Sequence, residues 1–306
     1  MLIGDVDGYL SEFAFGVNQA LTKAGHFHNA ISIRNDISTI AKRAGEVHPD
    51  ILWGHMIAWP PRGASSTPAD LLELCADWKA KGTKVLIHDG DAGSKTRFPL
   101  DISPAVDLAL CNHTADRSAW KIPQLHWPYF CFDQAEMADP HPDFMCDLAF
   151  AGRLSTEGIY ADRTRLVMEL KAKLGDRMKI FPNASVGHTL YRTPELAVSA
   201  GAILGYGRPD RPGWQDVRTF LFPGAGGILL SDDAQDYLTP WEQFVPYESG
   251  SVDSVLRALE WLKMIRGAHP SSKELVFREE AFLYTQAKHS ATARVRQALA
   301  AVGLTL

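Results

Sequence analysis

The sequence has no long hydrophobic run. Nowhere in its 306 residues do about 18 apolar residues follow one another, the length a helix needs to cross a bilayer, so no membrane span is expected. The opening stretch, MLIGDVDGYLSEF, lacks the basic segment and apolar run of a secretory signal, and a cytoplasmic protein is the expectation. Cysteine is scarce. Cys75, Cys111, Cys131 and Cys146 stand at spacings that match neither a zinc site nor a redox pair, and they read as buried thiols of a reducing compartment. An excess of positive charge is missing too: 31 Lys and Arg against 36 Asp and Glu leave a formal net charge of -5. That disfavours a surface dominated by polyanion binding, whereas a ligand carrying one diphosphate needs only one or two placed cations. No G-x-G-x-x-G follows the first apolar segment, which disfavours a dinucleotide-dependent oxidoreductase. Internal repeats and low-complexity tracts are absent as well.

What the chain does have is an alternation of short apolar runs and helical segments. The runs Asp50–His55, Lys84–Asp91 and Val106–His113 each end in a polar exit and read as buried strands. Segments 11–24, 38–44 and 68–82 lie between such runs and read as helices, with Pro68 near the start of the last. This order implies parallel sheets covered by helices on both faces. Residues 133–144, DQAEMADPHPDF, are acidic, proline-bearing and poor in apolar side chains, and they read as a linker. The alternation then restarts with strands at Cys146–Gly152, 178–182, Ala202–Gly207 and Gly226–Asp232. Helices are expected at 163–174, 194–199, 216–222, 252–265 and within 272–302. The expected fold class is therefore α/β, with two Rossmann-like domains facing a central cleft, residues 1–133 and 145–306, and the last helix packing back on the first domain. Ligands of such open sheets sit beyond the carboxyl ends of the strands, so the strand exits carry the functional reading.

Five segments of the second half occur in a telling order: LAFAGR (148–153), YADRTRLVMEL (160–170), DVRTFLFPGAGGILLSDD (216–233), WEQFVPYES (241–249) and KHSATARVRQAL (288–299). Together they resemble the C-terminal domain of GT-B glycosyltransferases, in particular the group-1-like branch that includes CgeB-type spore-maturation proteins. The resemblance covers about residues 146–306. It implies a hexosyl- or pentosyltransferase that takes its sugar from a nucleotide-sugar donor, UDP- or GDP-linked. The donor is a substrate, so no cofactor is implied. One departure is plain: many relatives carry phenylalanine-glutamate after the arginine of the third segment, where this chain reads Thr219-Phe220-Leu221-Phe222.

The chemistry assigns roles to particular residues. A departing diphosphate gathers negative charge, which arginine and backbone N–H groups stabilise. Gly152 permits close backbone approach, and Arg153 and Arg218 suit a bidentate hold on phosphate. Gly226 and Gly227 read either as a small-residue turn against the donor or as a helix cap leading into a strand. Glu242 reads as the acceptor of ribose hydroxyl hydrogens or as a solvated loop side chain. In the first half, His88, Asp89 and Asp91 read as a general base with its surroundings or simply as a turn. His55 and Trp59 suit the acceptor, and His113 ends a similar run. The acceptor stays open among glycans, small metabolites, proteins and hydroxylated bases of phage-type DNA.

Rival functions remain beside this one. Asp89-Gly90-Asp91 also fits the D-x-D by which GT-A enzymes hold a divalent metal; the restarted α/β pattern favours the metal-independent alternative. A non-catalytic nucleotide- or sugar-binding protein would share two α/β lobes. A glycoside hydrolase would need two paired carboxylates, for which Asp89 and Asp232 are candidates that no spacing fixes.

Overall fold

A computed structural model describes residues 2–4, 11–26, 30–32, 37–55, 68–89, 103–112, 120–181, 192–207, 217–266 and 273–306. The chain divides into two units. Unit 1 comprises Met1–Tyr129 and Ala291–Leu306, and unit 2 comprises Phe130–Ser290.

Unit 1 is built on six parallel strands: β1 (Leu2–Gly4), β2 (Ala30–Ser32), β3 (Ile51–His55), β4 (Lys84–Asp89), β5 (Leu108–Cys111) and β6 (Gln124–His126), in the order β2-β1-β3-β4-β5-β6. Its described helices include α1 (Ser11–Lys23), α2 (Ile37–Val47) and α3 (Pro68–Ala80). Gly25, at φ 80°, turns the chain after α1, a conformation that costs glycine little. Val85, Leu86, Ile87 and His88 of β4 are all buried, as expected of a parallel strand covered on both faces. One core layer joins Ile40, Leu52, Leu74, Trp78, Val85 and Ile87. The strand expected over Val106–His113 starts later, at Leu108, because Asp107 bonds sideways: its Oδ2 accepts the Val85 amide hydrogen (2.8 Å) and its own amide donates to Val85 O (2.8 Å).

Among the described residues, unit 2 has five parallel strands, β7 (Leu148–Ala151), β8 (Met178–Phe181), β9 (Ile203–Leu204), β10 (Leu229–Ser231) and β11 (Val245–Pro246), in the order β11-β10-β9-β7-β8. Its helices are α4 (Ala161–Leu174), α5 (Thr193–Ser199), the single turn α6 (Arg218–Leu221), α7 (Val252–Arg266) and α8 (Lys273–His289). Side chains along β7 alternate between two layers. Leu148 and Phe150 join Leu166, Leu170, Leu204, Leu230 and Leu259, while Ala149 and Ala151 join Leu196, Ile203, Phe222 and Ala225. Arg278 of α8 is buried and ties the loops beneath this sheet together. It donates to the carbonyls of Ala197 (3.2 Å), Gly226 (3.0 Å) and Ala200 (2.9 Å) and to Glu274 (2.9 Å), whose other oxygen holds Arg266 (2.6 Å).

Two features of the chain course differ from the sequence reading. The helical stretch 272–302 is two helices, α8 and α9 (Ala291–Ala300), interrupted at Ser290, which forms a bridge with Cys131. Within unit 1, α9 packs on α1, and the Trp127 indole N–H donates to Arg294 O (2.8 Å). The acidic segment 133–144 belongs to unit 2 and is anchored there by polar contacts that composition does not reveal. The Gln134 amide donates to Gln286 Oε1 (3.2 Å) and the His141 amide to Ser199 Oγ (2.7 Å).

Candidate functional site

In unit 2 the chain runs from β7 to β8 on one side and returns to β9 on the other. The carboxyl ends of β7 and β9 thus flank a topological switch point, the crevice where open α/β sheets bind ligands. Gly152 leaves β7 there. A Cβ on this glycine would lie 2.4 Å from Arg218 Nη1, so any other residue would displace the Arg218 guanidinium from its present position. Arg218 is 8 % exposed, donates from Nη1 to Ala151 O (2.9 Å) and lies over the Phe150 ring at 5.6 Å. Arg218, expected from sequence to hold phosphate, is thus buried, because α6 lays it along the end of β7.

Two more arginines continue this stack. Arg163, in the first turn of α4, sits over Phe150 at 5.6 Å and over Tyr160 at 4.6 Å. Arg153 lies over Tyr160 at 5.4 Å and is exposed; no carboxylate among the described residues pairs with it. Three guanidinium groups and two aromatic rings therefore alternate at one strand exit, a cationic edge of the kind that holds phosphate.

The neighbouring exits are polar. Asp232, after β10, accepts from the Gly207 amide (2.6 Å) and from Ser249 Oγ (2.7 Å), which joins the exits of β9, β10 and β11. Tyr247 OH donates to Gly205 O (2.7 Å). Burial raises the Asp232 carboxyl above its ordinary value, against those two hydrogen bonds. Burial, then repulsion from Asp232 and Asp236, pushes Asp233 up to about 7.

Of the residues singled out by sequence, Gly152, Arg153 and Arg218 come together here. Gly226, Gly227 and Glu242 do not. Each precedes a parallel strand and so lies at the opposite, amino-terminal edge of the sheet. The Gly226 amide donates to Pro223 O (3.0 Å) and that of Gly227 to Phe222 O (2.8 Å), with Met137 and Ala197 packed against them. Gly226, at φ 84°, is the cap of the turn before β10. Glu242 is exposed in a tight turn before β11. In unit 1, His88 is 0 % exposed, with its ring against Trp127 (4.9 Å) and Tyr129 (5.8 Å). The buried part of β4 includes His88, which therefore stands within the core and not at the strand exit expected for a general base. Asp89 is half-buried and accepts from Trp120 Nε1 (3.2 Å). His55 ends β3, its side chain lying outside the described residues, as do Trp59, Asp91 and His113. Sequence reasoning passed over Arg163 and Tyr160 as site residues and considered Asp232 only as a hydrolase carboxylate. The first two stand three apart at the start of α4, the spacing of side chains on one helix face.

No protein-family model matches the sequence, and no curated protein matches it significantly. Solved structures do match over nearly the whole chain. Anabaena HepE in complex with UDP is 8 % identical, with 99 % of this chain and 98 % of that one covered at a TM-score of 0.61. An α-glucosyltransferase in complex with UDP and a 13-mer DNA containing a central A:G mismatch is 12 % identical, with 94 % and 95 % covered at 0.61. The chain has the GT-B fold. A glycosyltransferase from Rickettsia africae shares it at 12 % identity, 98 % and 96 % coverage and a TM-score of 0.59. The likeness is one of architecture and does not single out the CgeB-type branch.

Proposed function

We propose that this GT-B chain is a glycosyltransferase that moves a sugar from a UDP- or GDP-linked donor to a hydroxyl acceptor, with the donor diphosphate at the carboxyl ends of β7 and β9. One observation carries this reading: an exposed arginine, Arg153, laid over Tyr160 at the switch point beside the buried Arg218. Glycosyl transfer breaks the bond between the anomeric carbon and the diphosphate oxygen, leaving negative charge on the diphosphate. Guanidinium groups fixed beside that oxygen stabilise the charge as it forms. They supply what a divalent cation supplies elsewhere, so the transfer needs neither metal nor resident cofactor. Asp232 holds the β9 and β11 exits in place around the donor. Unit 1 is assigned the acceptor, with Asp89, the half-buried carboxylate at the end of β4, and Asp91 as candidate bases, and His55 and Trp59 as candidate acceptor contacts.

The UDP complexes of HepE and the α-glucosyltransferase support a uridine nucleotide first. A DNA acceptor is the second reading. The DNA bound to that α-glucosyltransferase favours it, and the net charge of -5 weighs against it. The experiment is a panel of nucleotide sugars with and without hydroxylated acceptors, duplex DNA with hydroxymethylated bases included. Release of the nucleoside diphosphate from one donor, accelerated by an acceptor that gains the mass of the sugar, is the expected result. Absence of turnover and of nucleotide binding across the panel would overturn the reading.

A further inference from the structure

Arg163 is the middle rung of the stack at the β7 exit, and it is 6 % exposed. Its guanidinium lies between the Phe150 and Tyr160 rings, and its Nη2 donates to the backbone carbonyl of Arg153. One residue on, Thr164 Oγ1 accepts from the Ser155 amide (2.9 Å) and donates to Ser155 O (2.8 Å). The first turn of α4 therefore pins the loop after β7 at two places, and both the main chain of Arg153 and the ring under its side chain are set by Arg163.

A long arginine side chain loses considerable rotamer freedom when it grips a ligand. Fixing it beforehand reduces that loss and tightens binding. We propose that Arg163 is a positioning residue of the diphosphate site, acting through Arg153, and that it makes the site prefer nucleoside diphosphates to monophosphates. The inference rests on the donor reading above. With Arg163 in place, three cationic groups converge on one strand exit, and the added phosphate of a diphosphate gains most from the one that is exposed, Arg153. A purely structural Arg163 would affect both nucleotides alike.

The test is calorimetric titration of UDP and UMP into the full chain and its Arg163→Ala, Arg163→Lys, Arg153→Ala and Arg153→Ala/Arg163→Lys variants, each beside a thermal melt. The wild type is expected to favour UDP. Arg163→Ala is expected to lose roughly ten- to hundredfold in UDP affinity, the scale of one charge-assisted contact, with UMP affinity within about threefold. Arg163→Lys keeps the charge but cannot span a carbonyl and two rings, so it too is expected to lose UDP affinity selectively, and it serves if the alanine variant does not fold. In the Arg153→Ala background the lysine substitution is expected to have no further effect. An unchanged UDP-to-UMP ratio in Arg163→Lys, or a loss that simply adds to that of Arg153→Ala, would overturn the role of Arg163 while leaving the donor site standing. A wild type that binds neither nucleotide would overturn both.

Discussion

Gly152 and Glu242 put the same question to the donor site from opposite edges of one sheet. A methyl group at residue 152 would meet Arg218 Nη1 at 2.4 Å and push the guanidinium off the Ala151 carbonyl. Gly152→Ala is therefore expected to weaken UDP binding by roughly tenfold or more, as the loss of one charge-assisted contact does. Glu242→Ala is expected to leave UDP affinity within about twofold, since Glu242 stands before β11 at the far edge; isothermal titration of both variants decides, and the reverse pattern would move the donor site. Asp233 supplies a prediction about pH. Its pKa is raised from 3.8 to about 7 by burial and by Asp232 and Asp236. Between those values the folded state holds a proton that the unfolded state has lost, so stability falls as pH rises through this window and levels off above it. Asp233→Asn removes that slope. The variant is expected to melt higher than the wild type by a wider margin at pH 8 than at pH 5; equal margins at both would show that Asp233 titrates normally. That Gly152 and Arg153 leave a strand was legible because the exit of an apolar run can be counted, whereas Arg218, on the turn α6, joins them only through packing. His88 misled, because one further residue of buried strand places a side chain in the core rather than beyond it.

At the scale of elements, the alternation of β-strand and helix was readable because strands such as β4, β5, β7 and β10 are short apolar runs closed by a polar or glycine exit, whereas β6, Gln124–His126, is no such run. The ends of elements were less so. They depend on side-chain bonds such as those of Asp107 to Val85 and on the Cys131–Ser290 bridge that divides α8 from α9, contacts between residues far apart in sequence. The turn α6 bears on the departure at Thr219–Phe222, where the resemblance implies a carboxylate: Leu221 there is 3 % exposed. Restoring the carboxylate therefore buries an unpaired charge and does not create a donor contact. Leu221→Glu is expected to destabilise the protein by about 3 kcal/mol or more, lowering the melting temperature by roughly 10 °C. Wild-type melting together with tighter UDP binding would contradict this and would mean that the glutamate reaches the nucleotide.

For the whole molecule, the GT-B fold supplies the architecture, and the cationic edge of unit 2 makes it a candidate for nucleotide-sugar chemistry. If arginines neutralise the leaving diphosphate, donor turnover is expected to persist in EDTA. Loss of turnover in EDTA with recovery on adding Mn²⁺ would shift the chemistry to a metal held by Asp89 and Asp91. Where the donor lies is decided by a crystal structure of the protein with UDP. Diphosphate density is expected at the carboxyl end of β7, beside Gly152 and within hydrogen-bond reach of Arg153. Diphosphate density beyond β4 at Asp89, or at the amino-terminal edge beside Gly226 and Glu242, would contradict this placement.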